Sequence, residues 1–295
     1  MAILAAIALS CANQAGAQDN LTPAESSAPA AAPDARDKIF YPGDTENVVP
    51  LATKLTKNFL IDQKEIWTSP FHMNRTNAGW WIAVTGITAA LIATDENTSK
   101  IFENSKGQVR FGNDVSYLGS TYTVVPFAVG FYLTGVVIND PKARETGVLG
   151  GEAMLDTLVV VEVLKEIAGR NRPNSNDAGE FFDRGASFPS GHAIASFALA
   201  SVIAHEYRNK KWVPYVAYGL ATAVGAARFA AQQHYASDIF AGGAMGYFIG
   251  TYVFNTHENH ALHYRRAGLN PIIQPATGTF GVALNFIPGK SADSE

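Results

Sequence analysis

The sequence predicts an all-α protein, a helical bundle of about six core helices followed by a short irregular or single-strand C-terminal tail. Ala, Leu, Ile and Val dominate six apolar segments of helical length, and the apolar–polar alternation of a half-buried strand is absent from them. No Asn-Gly or Asp-Gly pair lies between these segments, so no hairpin turn is indicated. The predicted helices are 78–94, 117–139, 148–168, 190–207, 212–229 and 237–255.

The chain divides into four predicted regions. Residues 1–17 are expected to be a signal peptide or an N-terminal membrane segment, because an apolar stretch ends in Ala-Gly-Ala at 15–17, a pattern that signal peptidase cuts. Residues 18–36 are rich in Ala, Pro and Ser without apolar periodicity, which predicts a disordered linker. The helical domain is placed at 37–256 and the tail at 257–295.

Composition excludes some classes of function. A net charge of −4 without a basic run gives no field to attract a polyanion, so nucleic-acid binding is not expected. Only 16% of residues are charged, against about 25% in soluble proteins, which indicates a membrane. Cys11 is the only cysteine and lies in the predicted signal, so a processed chain would have neither a disulfide nor thiol chemistry.

The first cluster of chemically active residues lies at the end of the third predicted helix. Lys165 and Arg172 are seven residues apart, which predicts that both lie on one helix face. Pro173 disfavours helical geometry at the residue before it, so the helix is predicted to end there and to free the Arg172 side chain. The alternative is that these basic residues only stabilise the helix dipole at its C-terminus.

The second cluster begins the next helix. Ser190 is placed as its N-cap, and Gly191 lets an anion approach the exposed backbone N–H groups. His192 would lie at the rim, where an ordinary pKa near 6.5 suits a general acid. The alternative is a capping turn with an incidental imidazole.

The third cluster contains Arg228, His234 and Asp238. His234 and Asp238 are four residues apart, so one helical turn would bring the carboxylate beside the ring nitrogen not used in chemistry. This is the arrangement of a base and its orienting group, with imidazole itself as the nucleophile. A His-x3-Asp pair alone is common, and Arg228 upstream makes the functional interpretation stronger.

Together the patterns Lys-x6-Arg-Pro, Pro-Ser-Gly-His and Arg-x5-His-x3-Asp resemble the three-part signature of the type 2 phosphatidic acid phosphatase superfamily. That superfamily also contains bacterial class A acid phosphatases and vanadium-dependent haloperoxidases. The resemblance covers 165–238, about a quarter of the chain. The chain departs from the signature at Ala227, where the family usually has Ser, which affects the fine placement of phosphate.

The resemblance implies which residues bind phosphate. Lys165, Arg172 and Arg228 would hold the phosphoryl oxygens, helped by Ser190 and the Gly191 backbone N–H. Three fixed cations and a helix N-terminus can neutralise those oxygens without a divalent metal, so no metal and no cofactor are expected.

The resemblance also implies the catalytic residues. His234 would attack phosphorus, Asp238 would support the phosphohistidine, and His192 would protonate the leaving alcohol and later activate water. Three further histidines, at 257, 260 and 263, could form a surface metal site, but their spacing drifts around a helix, which favours a solvated tail.

The sequence leaves the relation to the membrane open. Uncharged stretches at 76–94 and 115–139 could each cross a hydrocarbon layer of about 30 Å. Six spans would bring the clusters to one side, facing outward, with the basic loop 208–211 inside the cell. A cleaved signal would reverse this orientation. A mean hydropathy of +0.02 favours the other alternative, an exported bundle in the periplasm.

The predicted function is hydrolysis of phosphomonoesters or diphosphates, with phosphorylated lipids such as phosphatidate, an isoprenoid diphosphate or a lipid A phosphate favoured over small phosphoesters. The alternatives are a class A-like acid phosphatase acting on soluble esters, a vanadium-dependent haloperoxidase, and an envelope protein that only binds lipid headgroups. The location in each case is the cell envelope, periplasmic or membrane-associated.

Overall fold

The computed structural model describes residues 48–72, 75–101, 105–257, 267–274 and 279–286. The predicted signal peptide and linker lie outside the described residues.

Eight α-helices and one antiparallel pair of strands make up the main regular structure of the described residues. The helices are α1 (Val48–Thr68), α2 (Arg75–Thr98), α3 (Lys106–Ser116), α4 (Thr121–Val137), α5 (Pro141–Ala168), α6 (Gly191–Glu206), α7 (Trp212–Ala230) and α8 (Ala236–His257). The strands are β1 (Ala267–Gln274) and β2 (Thr279–Phe286). The predicted all-α class is confirmed, and each of the six predicted helices corresponds to one of α2 and α4–α8.

Two helices, α1 and α3, were not predicted. Both are polar enough to lack a continuous apolar stretch, although α3 has a local start signal in the sequence. The Ser105 hydroxyl accepts a hydrogen bond from the Gln108 N–H at 3.3 Å, and Ser-x-x-Gln is the pattern of a capping box. α3 then packs closely on α7, because a Cβ at Gly112 would lie 2.7 Å from the Ala227 carbonyl oxygen.

The C-terminal tail differs from the expected irregular segment or single strand. β2 has an antiparallel partner in β1, with Ala267 opposite Phe286 and Gln274 opposite Thr279. A lone strand would leave its backbone groups without partners, and pairing satisfies them. Pro271 lies within β1, and proline weakens the sequence signal of a strand, which explains why β1 was missed.

The core of the bundle is formed where α5, α6 and α8 meet. Buried Leu149, Ile194 and Val253 lie in this core. A Cβ at Gly246 or Gly250 would overlap the backbone of α6, so α6 and α8 pack with their main chains in close approach. Both helices begin at the same end of the bundle, because the Ser190 N–H donates to the Asp238 carbonyl at 3.0 Å. We call this end, where α5 terminates, the site end.

The outer surface of the bundle carries many large apolar side chains. Ile82 is 72% exposed, and Phe127, Leu133 and Tyr215 are exposed as well. Among the described residues, two helical stretches, Ala78–Ile101 and Lys106–Val137, are long and apolar enough by length and composition to cross a membrane.

Candidate active site

The three sequence clusters meet at the site end, but not in the way predicted for the first one. α5 ends at Ala168, where Gly169 adopts a left-handed conformation (φ 51°) that closes the helix. The predicted helix 148–168 therefore ends at the same residue as α5, whereas the separate expectation that the helix continues to Arg172, so that Lys165 and Arg172 share one helix face, is wrong. Arg172 lies in the loop after α5, and the path of this loop places the Arg172 side chain near Gln233.

His234 lies in the short loop between α7 and α8 and is buried. Its Nδ1 is 2.8 Å from the Ser187 carbonyl oxygen, and because a carbonyl can only accept, Nδ1 carries the proton. The neutral ring then has its lone pair on Nε2. Burial lowers the pKa of His234 below its usual value, against the opposing effect of Asp238, so the ring is held in the neutral form that a nucleophile requires.

Asp238 follows His234 by one turn, in the first turn of α8. Its nearer oxygen is 3.6 Å from His234 Nδ1, and it accepts hydrogen bonds from the Ser187 hydroxyl at 2.6 Å and the Tyr235 N–H at 2.9 Å. Burial alone would raise the pKa of this carboxyl, but the hydrogen bond with His234 and the charge of Arg170 bring it below its usual value. Asp238 is therefore an ionised, fixed negative charge beside the ring.

Arg170 was not predicted as a site residue, and it is buried at the centre of this end. Its Nη1 donates to Asp238 Oδ1 at 2.7 Å, and its Nη2 donates to Asp95 Oδ2 of α2 at 2.9 Å. The guanidinium also stacks on Tyr235, 4.1 Å from the ring centroid. The Ser237 hydroxyl donates to Asp95, which completes a buried network. The Gly-Arg-Asn-Arg-Pro segment contains Arg170, whereas no local pattern marks Asp95.

The predicted phosphate-binding arginines lie around the same point. Arg228 is buried, with Nη1 3.4 Å from the Ser116 hydroxyl, and burial together with the charge of Arg172 lowers its pKa to about 10. Arg172 donates to the Gln233 side-chain oxygen at 2.8 Å. Such fixed donors in a partly desolvated site bind an anion more strongly than they would in water.

Lys165 reaches the site from the last turn of α5. Its Nζ is 3.0 Å from Glu162 Oε1 and would be 3.5 Å from a Cβ at Gly191. Gly191 therefore places the backbone at the start of α6 within reach of the same anion as the lysine. Ser190 is the N-cap, as predicted, and its hydroxyl accepts from the Ala193 N–H at 3.4 Å.

The pKa of His192 is affected by burial and by charged residues from the other clusters. Burial lowers its pKa to about 3, and the charges of Arg228, His234, Lys165 and Arg172 act in the same direction. Lys165, Gly191 and His192 also line the same cavity. The negative charge of a phosphate held by the same cations would act in the opposite direction and favour the protonated ring.

The surface metal site considered for the histidines at 257, 260 and 263 lies partly outside the described residues, since 258–266 are not described. His257 is the last residue of α8 and is buried, with Nε2 2.9 Å from the Asn58 side-chain nitrogen, so it is a core residue and not part of a solvated tail. Within the described part of the chain, no group of three His, Cys, Asp or Glu residues could hold a metal ion.

Known proteins similar to this chain include phosphatases. A family model described as the PAP2 superfamily matches residues 148–261. The Lipid A 1-phosphatase of Porphyromonas gingivalis is 34% identical over 83 residues, which are 28% of this chain and only 17% of that protein. The crystal structure of the first transmembrane PAP2 type phosphatidylglycerolphosphate phosphatase from Bacillus subtilis aligns with a TM-score of 0.46 and 20% identity, over 72% of this chain and 98% of that chain.

Proposed function

We propose that this chain, whose residues 148–261 belong to the PAP2 superfamily, is a phosphatase that hydrolyses lipid-linked phosphomonoesters or diphosphates through a phosphohistidine. One observation carries this proposal. A neutral, buried His234 with Nδ1 committed to the Ser187 carbonyl lies among side chains that can hold a phosphate. A protein that only binds a headgroup needs the cations but not this histidine.

In the first step, the Nε2 lone pair of His234 attacks phosphorus. An N–P bond forms while the P–O bond to the leaving alcohol breaks, and His192, protonated beside the bound phosphate, donates its proton to the alcohol oxygen. The ring of His234 becomes positively charged, and Asp238, 3.6 Å from Nδ1, offsets that charge. Arg170 keeps Asp238 in place through its 2.7 Å hydrogen bond.

In the second step, water attacks the phosphohistidine and His192 accepts its proton. The N–P bond breaks, inorganic phosphate leaves, and His234 regains its lone pair. During both steps Lys165, Arg172 and Arg228 bind the phosphoryl oxygens, and the backbone at the start of α6 adds the positive end of a helix dipole.

The proposal requires no divalent metal. The negative charge that develops on a transferring phosphoryl group is often neutralised by Mg²⁺. Three guanidinium or ammonium groups and a helix N-terminus supply the same stabilisation here. Turnover by the purified protein should therefore persist in excess chelator, and loss of activity in chelator would reject this part of the proposal.

We also propose that the bundle is embedded in a membrane with the site end facing outward. Exposed Ile82 on α2, Phe127 on α4 and Tyr215 on α7 would be unfavourable in water and are suited to lipid. These side chains favour the embedded alternative over the exported bundle that the mean hydropathy favoured. The substrate phosphate would then be held at the end of the helices, where a lipid headgroup lies.

Hydrolysis of p-nitrophenyl phosphate, an aryl ester that needs no lipid environment, tests the activity. The purified wild-type protein should release p-nitrophenol, and the His234→Ala variant should show no release above background. A variant with full activity would reject His234 as the nucleophile. A panel of lipid phosphates, assayed with the same preparation, then identifies the preferred substrate class.

A further inference from the structure

A groove of about 560 Å³ opens at the candidate active site and extends away from it along α5. One end of the groove is lined by Lys165, Gly191 and His192. The other end is lined by Val148, which lies on the same helix as Lys165. The separation along α5 is roughly 25 Å at the helical rise. The volume is that of an ordinary small-molecule site.

The walls of this groove are mostly apolar between its two ends, and the polar residues Glu152 and Thr157 that also line it are buried. α4 contributes Val125 and Val129, and α5 contributes Leu155 and Leu158. These side chains are about half exposed, so the groove is open along its side, on the outer surface of the bundle. An apolar channel that is open laterally and has cations at one end suits an amphiphile with a phosphate head.

α1 supplies the wall at the far end. Leu51 and Leu55 line the groove there, beside Val148 of α5. The direction of α1 follows from two contacts. Asn58 lies beside His257, which is 3.6 Å from Glu152. Five residues later Gln63 donates to Asp156 Oδ1 at 2.8 Å, so α1 approaches the site end as its residue numbers rise. α1 precedes the region 148–261, so this wall is a feature of this chain outside the matched segment.

We propose that the groove holds one hydrocarbon chain of the substrate while its phosphate lies among Lys165, His192 and His234, and that Leu51 and Leu55 limit the length of that chain. The proposal rests on the proposed phosphatase function and deepens it. It makes α1 a specificity element that sets the longest hydrocarbon chain the groove accepts.

Gly151 provides a way to block the groove without disturbing the fold. It lines the groove, and a Cβ built there meets no other atom within 4 Å. Gly151→Leu should therefore place a side chain in the channel, and its Cβ clashes with nothing. Gly130→Leu is the matched control, because Gly130 lies within α4, is equally open, and is not among the groove residues.

The assay compares three substrates on wild-type protein and both variants. Gly151→Leu should lower kcat/KM for octadecyl phosphate about tenfold or more, since its chain is long enough to reach Gly151 and can no longer bury its last methylenes. Values for butyl phosphate and p-nitrophenyl phosphate should stay within about twofold, and Gly130→Leu should leave all three unchanged. An equal loss on every substrate, or an unchanged value for octadecyl phosphate, would overturn the groove assignment.

A binding measurement separates this inference from the proposed function. Octadecyl phosphate should raise the Tm of the wild type and of Gly130→Leu more than inorganic phosphate does, and the difference should shrink strongly in Gly151→Leu. This result is expected whether or not turnover occurs, so a protein inactive on p-nitrophenyl phosphate would reject the phosphatase function alone. A difference that persists undiminished in Gly151→Leu would reject the groove.

The length limit is tested at the other end. Leu55→Ala removes part of the far wall, and it should raise the ratio of kcat/KM for docosyl phosphate over octadecyl phosphate at least about threefold. An unchanged ratio would show that α1 does not set chain length.

Discussion

His234 Nδ1 lies 2.8 Å from the Ser187 carbonyl oxygen and 3.6 Å from the nearer oxygen of Asp238. The closest partner of the His234 ring is therefore the Ser187 carbonyl, in the main chain before α6, and not the Asp238 carboxylate. Asp238 contributes negative charge, and its position is set by Ser187, Tyr235 and Arg170. The two roles that a triad usually assigns to one carboxylate are divided here between two groups.

Replacing His192 should affect poor leaving groups most. An alkoxide needs a proton as it departs, whereas p-nitrophenolate is stable without one. His192→Ala should therefore lower kcat for an alkyl phosphate by about 10²–10⁴ and for p-nitrophenyl phosphate by a much smaller factor. Single-turnover rates on the two esters measure this. Equal losses on both would show that His192 is not the general acid.

Asp95 is expected to act on catalysis through Arg170. Asp95→Asn removes a buried negative charge 2.9 Å from Arg170 Nη2, so Arg170 should hold Asp238 less firmly and kcat should fall about tenfold with little change in KM. Thermal unfolding should show a loss of stability as well, because a buried pair has lost one partner.

A control separates this effect from general damage. Asp114→Asn changes an exposed carboxylate of α3 and should alter stability by no more than about 0.5 kcal/mol. Asp95→Glu keeps the charge and should recover part of kcat. If Asp95→Asn lowered Tm but left kcat intact, Asp95 would be only structural.

The low pKa of His192 predicts how the stability of the phosphate-free protein depends on pH. In the unfolded chain this imidazole takes up a proton near pH 6.5, and in the folded protein only near pH 3. Between these values the unfolded state binds more protons, so stability should fall as the pH is lowered from about 6.5 toward 3. Urea unfolding at several pH values should show a shallower fall in His192→Asn. An identical slope in both proteins would contradict the assigned pKa shift.

The orientation of the bundle can be tested on the loop between α6 and α7. Arg208, Lys210 and Lys211 make this loop basic, and a basic loop is expected inside the cell if the site end faces outward. A protease site inserted there should resist cleavage in intact cells and be cut after lysis. Cleavage in intact cells would support an exported bundle or the opposite orientation.

Local patterns in the sequence were enough to predict most of the helices and to single out the three clusters, whose chemistry stays a prediction. The apolar segments located α2 and α4–α8, and short spacings located His192, His234 and Asp238. Asp95 could not be found in this way, since it meets Arg170 across 75 residues of sequence and only through the packing of α2.

Two errors in the predicted elements have local causes. Arg172 was wrongly placed on the helix face of Lys165, although the bounds 148–168 end correctly, because Gly169, four residues before Pro173, already closes α5 in a left-handed conformation. β1 was missed because Pro271 lies inside the strand itself, where proline argues against strand structure. In both cases the position of a glycine or proline, rather than the apolar pattern around it, decided where the element lies.

The central claim is that a covalent bond forms between phosphorus and His234. Rapid acid-free quenching of the enzyme during turnover of p-nitrophenyl phosphate, followed by mass spectrometry of its peptides, tests it directly. We predict a phosphate that is stable in base, labile in acid and located on His234, and its absence from His234→Ala. Phosphate found on another residue, or steady turnover with no phosphorylated peptide under conditions that trap the intermediate, would contradict the account.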